Sequence, residues 1–340
     1  MRRLPLLLAA ALVSMLSSVL VLADQAPGGR STTGAKVRLT ADGQPDLQGF
    51  WTNDTYTPLE RPAELAGKEF FTKDEAAAFV KSRVDRLLGQ ARDDVHYDDA
   101  IWQAETYSKE ENRRTSLITE PRDGKLPTLT PEGQRRLARQ NATQRAGSSD
   151  RADTRSLAER CISWGNVGPP MMPPTYNANL QILQARDQVI LRHEMMHDVR
   201  IIYLDGRPHP PRSIQWLAGH SVGHWEGQTL VVDTTNFTER TNFRGSPQNT
   251  RQDIFASEAL HVIERFTPTD DNTIHYAFTV EDPATWTRPW SGEMPIRRFE
   301  GPLYEYACHE GNYGLPNILR AARLQEGQAA ATSKPGSGTR

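Results

Sequence analysis

The string His193-Glu194-Met195-Met196-His197 carries the densest potential for metal and proton chemistry in the chain. On an α-helix, H-E-x-x-H sets two imidazoles one turn apart on one face to hold zinc, with the Glu as general base. The flanking residues read differently. Residues 188–191 and 199–203 are runs of apolar and β-branched side chains, the pattern of strands. On a strand, at ~3.3 Å per residue, the two imidazoles lie ~13 Å apart, too far for one ion. Alternation then sets Leu191, His193, Met195 and His197 on one face, and Arg192, Glu194, Met196, Asp198 and Arg200 on the other. That second face is either solvated or turned into a barrel. Inside a barrel, Glu194 and Arg200 form a polar pair, and a carboxyl so buried titrates high unless the Arg compensates. Acid–base catalysts are tuned in this way.

Three other constellations carry chemistry. His220-Ser221-Val222-Gly223-His224-Trp225-Glu226 leads into Asp233-Thr234-Thr235-Asn236-Phe237. Trp286-Thr287-Arg288-Pro289-Trp290 sets two indoles around a guanidinium, suited to stacking on a sugar ring or planar ligand or to plugging a barrel end. Tyr304-Glu305-Tyr306-Ala307-Cys308-His309-Glu310 places an imidazole beside a cysteine and a carboxylate; a His with a carboxylate partner is a general base. Eight of the nine His lie after residue 190, so strands of one barrel can bring them together. The chain has no G-x-G-x-x-G or Walker A string, which argues against nucleotide cofactors.

The elements that must position these residues fall into two stretches. Between 45 and 175 the pattern is helical and irregular. Thr72-Lys73-Asp74-Glu75 is a capping box opening a helix that runs to about residue 88. Thr130-Pro131 opens a second, basic helix near 134–144. From 176 to 325, short β-prone runs alternate with turns: 180–185 and 188–192 flank Arg186-Asp187, 223–226 and 229–233 flank Gly227-Gln228, and 260–266 and 273–280 flank residues 268–272. A strand at 199–204 and an edge strand at 296–299 complete the set. The pattern predicts a mainly β fold, an antiparallel calycin-like barrel, with the irregular, partly helical N-terminal stretch wrapped around it. A helix is expected from residue 317 to about 324, and a low-complexity tail over 326–340.

Arg2 and Arg3 precede an apolar run ending at Val21-Leu22-Ala23, which reads as a secretory signal over 1–23 followed by a flexible leader over 24–44. An uncleaved anchor is the alternative, since the run is long enough to span a bilayer. The expected location is periplasmic or extracellular. There the two cysteines, Cys161 and Cys308, form one bridge. A net charge of −2 provides no basic field for nucleic acid, and no further segment predicts stable membrane insertion.

The strings PDLQGFW (45–51), RTSLITEP (114–121), DGKLPTLTP (123–131), GPPMMPPTYN (168–177), DTTNF (233–237), NFRGS (242–246) and YEYACHEGNY (304–313) together resemble a family of secreted bacterial proteins. The resemblance implies an exported globular chain and assigns no catalytic residues. It also implies a residue other than His at the place of His193, which weakens the zinc reading.

The expected function is an exported enzyme that applies side-chain acid–base chemistry to a small organic or sugar-like ligand, as a lyase, isomerase or hydrolase, without an organic cofactor or bound metal. Its candidate acid–base residues are Glu194, His197 and His309, with Arg200 as electrostatic partner. Trp286, Arg288, Trp290, Asn236 and Tyr304 are candidate ligand contacts. The alternatives are a barrel that binds a small ligand without chemistry, and a zinc hydrolase built on His193 and His197.

Overall fold

The computed structural model describes residues 37–55, 57–88, 113–146, 149, 151–164, 168–173, 177–240, 242–243 and 254–332. The expected signal at 1–23, most of the leader and residues 333–340 lie outside the described residues. In chain order the elements are β1 (Gly49–Thr52), α1 (Lys73–Leu88), β2 (Ile118–Glu120), α2 (Pro131–Ala146), β3 (Asn179–Ala185), β4 (Gln188–His193), β5 (Val199–Tyr203), β6 (His220–Glu226), β7 (Thr229–Thr235), β8 (Asn242–Phe243), β9 (Ile254–Phe255), β10 (His261–Asp270), β11 (Thr273–Glu281), β12 (Trp290–Arg298) and α3 (Gly314–Thr332). No described helix is long and apolar enough to cross a membrane.

The three expected hairpins form at Arg186-Asp187, Gly227-Gln228 and the 268–272 region. The last is tighter than expected: β10 reaches Asp270 and β11 starts at Thr273, with a bulge between Pro268 and Asp270. The strands close into a nine-membered ring in the order β1-β3-β4-β5-β6-β7-β10-β11-β12, with β12 pairing back to β1. Closure leaves no open edge. The expected edge strand at 296–299 is therefore the end of the longer β12, held between β11 and β1. The short β1, from the stretch read as wrap, is a ring member.

A ring of nine cannot alternate direction all the way round, so one neighbouring pair must run parallel. That pair is β5–β6; the other ring neighbours are antiparallel. Parallel neighbours cannot be joined by a tight turn, and residues 204–219 make the crossover without a helix. Asn236 secures this connection. Its side-chain amide donates to the carbonyls of Ile214 (2.9 Å), Pro211 (3.1 Å) and Pro210 (3.2 Å), and its carbonyl accepts from the Trp216 N–H at 2.9 Å.

Alternation fills the barrel with large side chains, among them Phe266, Tyr276, Phe278, Trp290 and Met294, all buried. It also turns Arg200 inward. The β4–β5 register pairs Leu191 with Arg200, so both face the core. The simple alternation expected across 191–200 fails because Met195–His197 form a 3-10 turn, with Met196 (φ 58°) and His197 (φ 44°) left-handed. The turn resets the phase between β4 and β5. Arg200 is neutralised there by Glu264 through two bonds, Nη1 to Oε2 at 2.8 Å and Nη2 to Oε1 at 3.0 Å. Tyr276 Oη–H adds a bond to Glu264 Oε1 at 2.7 Å, and its oxygen accepts from the Met171 N–H at 2.8 Å.

Outside the ring, the capping box forms as read: the Thr72 N–H donates to Glu75 Oε2 at 2.8 Å and the Glu75 N–H to Thr72 Oγ1 at 3.3 Å. At α2, Pro131 is the first helical residue and Thr130 Oγ1 accepts from the Gly133 N–H at 3.0 Å. β2 pairs with β12. The buried Arg114 reaches Glu293 of β12 at 3.1 Å and Glu69 at 3.2 Å. Cys161 and Cys308 are bonded, with Cα atoms 5.6 Å apart. The C-terminal helix runs to Thr332, past the point where the tail was expected to begin.

Candidate functional site

The predicted residues divide among five places. Glu194, His197 and Tyr304 meet at the β4–β5 turn. Glu194 is buried and accepts hydrogen bonds from the Asn177 side-chain amide, from Asn179 Nδ2 at 3.3 Å and from the Tyr304 N–H at 3.3 Å. His197 is exposed, and its Nδ1–H donates to the Tyr306 carbonyl at 3.2 Å. Beside it, burial pushes the Asp198 carboxyl up to about 6, against the opposing influence of His197 and Ser163. Arg200 lies inside the barrel, apart from this group. His309 is on an exposed turn next to the disulfide.

The aromatic loop is a correction. Trp286 and Trp290 are buried, with rings 5.7 Å apart edge to face, and Trp290 also meets Phe278. Asp282 organises the loop through bonds to Ser257 and Thr285. The indoles plug the core and offer no face to a ligand; Arg288 alone of the three is exposed. Asn236 is likewise committed to holding the crossover.

The H-E-x-x-H string spans a strand end and a 3-10 turn, with no α-helix. His193 faces the barrel interior and His197 faces solvent, so the two imidazoles do not form the helical zinc pair. Burial, with the charge of Arg200, pushes His193 down to about 3. Among the described residues, no group of three or more His, Cys, Asp and Glu is arranged to hold a metal ion.

The strongest convergence of titratable groups is on the outer face of β6, β7, β10 and β11, under the crossover. Asp233 Oδ1 lies 3.2 Å from His209 Nε2 and 3.0 Å from His261 Nε2. The other nitrogen of His261 meets Glu281 Oε2 at 3.3 Å, and the other nitrogen of His209 meets His220 Nδ1 at 3.0 Å. The result is one chain: Glu281, His261, Asp233, His209, His220. Aromatics frame its end, with the His220 ring stacked on Tyr203 at 5.4 Å and tilted against Trp216 at 5.7 Å. Arg207 lies 3.8 Å over the Tyr203 ring.

The electrostatics follow from these partners. The hydrogen bond to Asp233 raises the His261 pKa, outweighing partial burial, and Glu281 adds to the rise. Partial burial works against ionising Asp233, but the bonds and charges of His261 and His209 outweigh it and hold the carboxyl below its usual range. Burial lowers His220, helped by His209 and Arg207. With Asp233 accepting from His209 Nε2–H, neutral His209 presents its Nδ1 lone pair to His220 Nδ1–H. That tautomer leaves His220 Nε2 as the basic atom at the end of the chain.

Sequence reasoning found His220 and Asp233 as part of a constellation and did not single out His209 or His261. The available signal was period two: His220 on β6, Asp233 on β7 and His261 on β10 all occupy outward positions of neighbouring strands. His209 lies in a Pro-rich connection with no periodicity to place it. Comparison of the chain with protein families, with curated proteins and with solved structures finds no match.

Proposed function

We propose that this chain is an exported acid–base catalyst for a small organic ligand, with His220 as the proton-accepting group and Asp233–His209 as the pair that orients and polarises it. The observation that carries the reading is Asp233 Oδ1 placed within 3.2 Å of two imidazoles, one of which passes its tautomer to a third. A carboxylate that fixes an imidazole tautomer and stabilises the imidazolium is the arrangement by which histidine bases work at neutral pH. The perturbed ionisation of three groups in one outward cluster supports a functional assignment. Export fits the basic and apolar N-terminal run and the disulfide. In this proposal the part of the 45–175 stretch outside β1 wraps the barrel. The calycin-like comparison extends to architecture only: the filled interior favours a ligand on the outer face. The partner is a small molecule, with no role for nucleic acid.

Hydrolysis of 4-nitrophenyl acetate, a reporter for an accessible general base, tests the reading. The rate should rise with pH through a midpoint below 6.5, the reference value for His. It should fall about 10²-fold or more in His220→Gln, with an unchanged melting temperature. Equal rates in the variant and the parent would overturn the assignment. A second reading, binding without turnover, is favoured by the aromatic frame around His220. Saturable binding of an aromatic ligand with no turnover in any reactive panel would select it.

A further inference from the structure

The outer face of the ring is not uniformly polar next to His220. Leu183 on β3 is opposite Ile190 on β4, and Ile190 is opposite Ile201 on β5. All three occupy outward positions, with Leu183 40% and Ile201 38% exposed. Single exposed apolar residues are ordinary, but these three form a row across successive strands. Strands lie ~4.8 Å apart, so the row is about 10 Å long. The parallel β5–β6 register pairs Ile202 with Ser221 inside the barrel, which sets Ile201 beside His220 outside. The row therefore runs directly to the basic end of the imidazole chain. Trp216 stands over that junction, 42% exposed. Its backbone is held by Asn236, Thr238 and Gly219, so its ring is presented on a fixed frame.

We infer that the ligand of this site is an amphiphile: an alkyl or aromatic body lying along Leu183, Ile190 and Ile201, with a single weakly acidic O–H head at His220. This rests on the reading of His220 as the base. The continuity of the apolar row with the polar chain argues for one molecule that is greasy at one end and proton-donating at the other. Trp216, tilted against the His220 ring and partly exposed, suits a planar group at the join.

Calorimetric binding of 4-ethylphenol, 4-butylphenol and 4-hexylphenol tests the inference. Affinity should tighten about two- to fourfold per added methylene, the range from half to full burial of each group. The double variant Leu183→Thr/Ile201→Thr, which keeps strand-forming side chains exposed at these positions, should flatten the series while still binding 4-ethylphenol. A flat series in the parent protein overturns the inference. So does a slope that persists in the double variant, or a parent dimer that the double variant dissociates, since the row would then be a self-association face. The two readings fail separately. A flat series with His220-dependent ester hydrolysis removes the amphiphile alone. A steep, row-dependent series with turnover indifferent to His220→Gln removes the catalytic role and leaves an amphiphile-binding surface.

Discussion

His209 and His220 face each other Nδ1 to Nδ1 at 3.0 Å. Two imidazoles in that geometry share one proton, since a hydrogen bond needs a donor on one ring and a lone pair on the other. Protonating both would set two cations against each other, which adds to the effect of burial in depressing His220. His261, at the opposite end of the chain, is raised by Asp233 and Glu281. One carboxylate thus separates an imidazole whose pKa is raised from one whose pKa is depressed, the division of labour that acid–base chemistry requires.

The crossover should depend on one side chain. Asn236→Gly keeps the left-handed backbone, φ 62°, and removes the amide bonds to Pro210, Pro211 and Ile214. A loss of about 1–3 kcal/mol is expected. Asn236→Ala should cost about 1 kcal/mol more, because a Cβ disfavours that conformation. Urea unfolding measures both, and proteolysis should cut within 204–219 sooner in each variant. Unchanged protection of the loop would contradict the assignment.

Inside the barrel, Glu264→Gln strands the Arg200 charge in the core. Breaking a buried pair in this way typically costs about 3–5 kcal/mol. Arg200→Met combined with Glu264→Leu should recover at least half of that loss, because no charge then remains to be solvated. Thermal melts of the single and double variants check the order, and a double variant less stable than Glu264→Gln would refute it.

Acid should unfold the protein through His193. Its folded pKa is about 3, below the unfolded value near 6.5. The unfolded chain therefore binds the proton first, and stability falls as pH drops from 6.5 towards 3. By linkage, about 3 kcal/mol is lost between pH 7 and pH 4. Asp198 acts in the other direction: its folded value near 6 exceeds the unfolded 3.9, so falling pH across that window adds stability. His193→Leu should flatten the acid loss, and Asp198→Asn should steepen it. Urea midpoints at pH 7, 5.5 and 4 read both slopes.

The Cys161–Cys308 bond closes a loop of 147 positions. Chain-entropy reasoning assigns such a closure about 5 kcal/mol. Reduction, or Cys308→Ser, should lower the melting temperature and free the 304–308 segment from Glu194 and His197, which it touches through the Tyr304 N–H and the Tyr306 carbonyl. Thiol titration of the unreduced, denatured protein should find no free cysteine. Two free thiols per chain would overturn the bridge.

Hairpins were legible because their turns are local: Gly227-Gln228 and Arg186-Asp187 interrupt β-prone runs on both sides. Ring closure was not, because it depends on the four residues Gly49–Thr52 inserting between β3 and β12, far apart in sequence. The inward turn of Arg200 was hidden by Met196 and His197, whose left-handed backbone has no Gly or Asn to announce it. The Trp286–Trp290 loop has the same composition as stacking platform or core plug, and only burial separates the two. At the candidate site, His220 and Asp233 stood in a visible constellation. Their partner His209 reaches them through a crossover that the odd strand count makes necessary.

The central claim is that Asp233 links His261 to His220 through His209, with His261 raised and His220 depressed. Long-range nitrogen–proton NMR of the imidazoles as a function of pH tests it most directly. His261 should titrate above 6.5 and His220 below it, and Asp233→Asn should move His261 down and change the His209 tautomer, with the fold intact. Titration of His220 and His261 both near 6.5, unmoved by Asp233→Asn, would contradict the account.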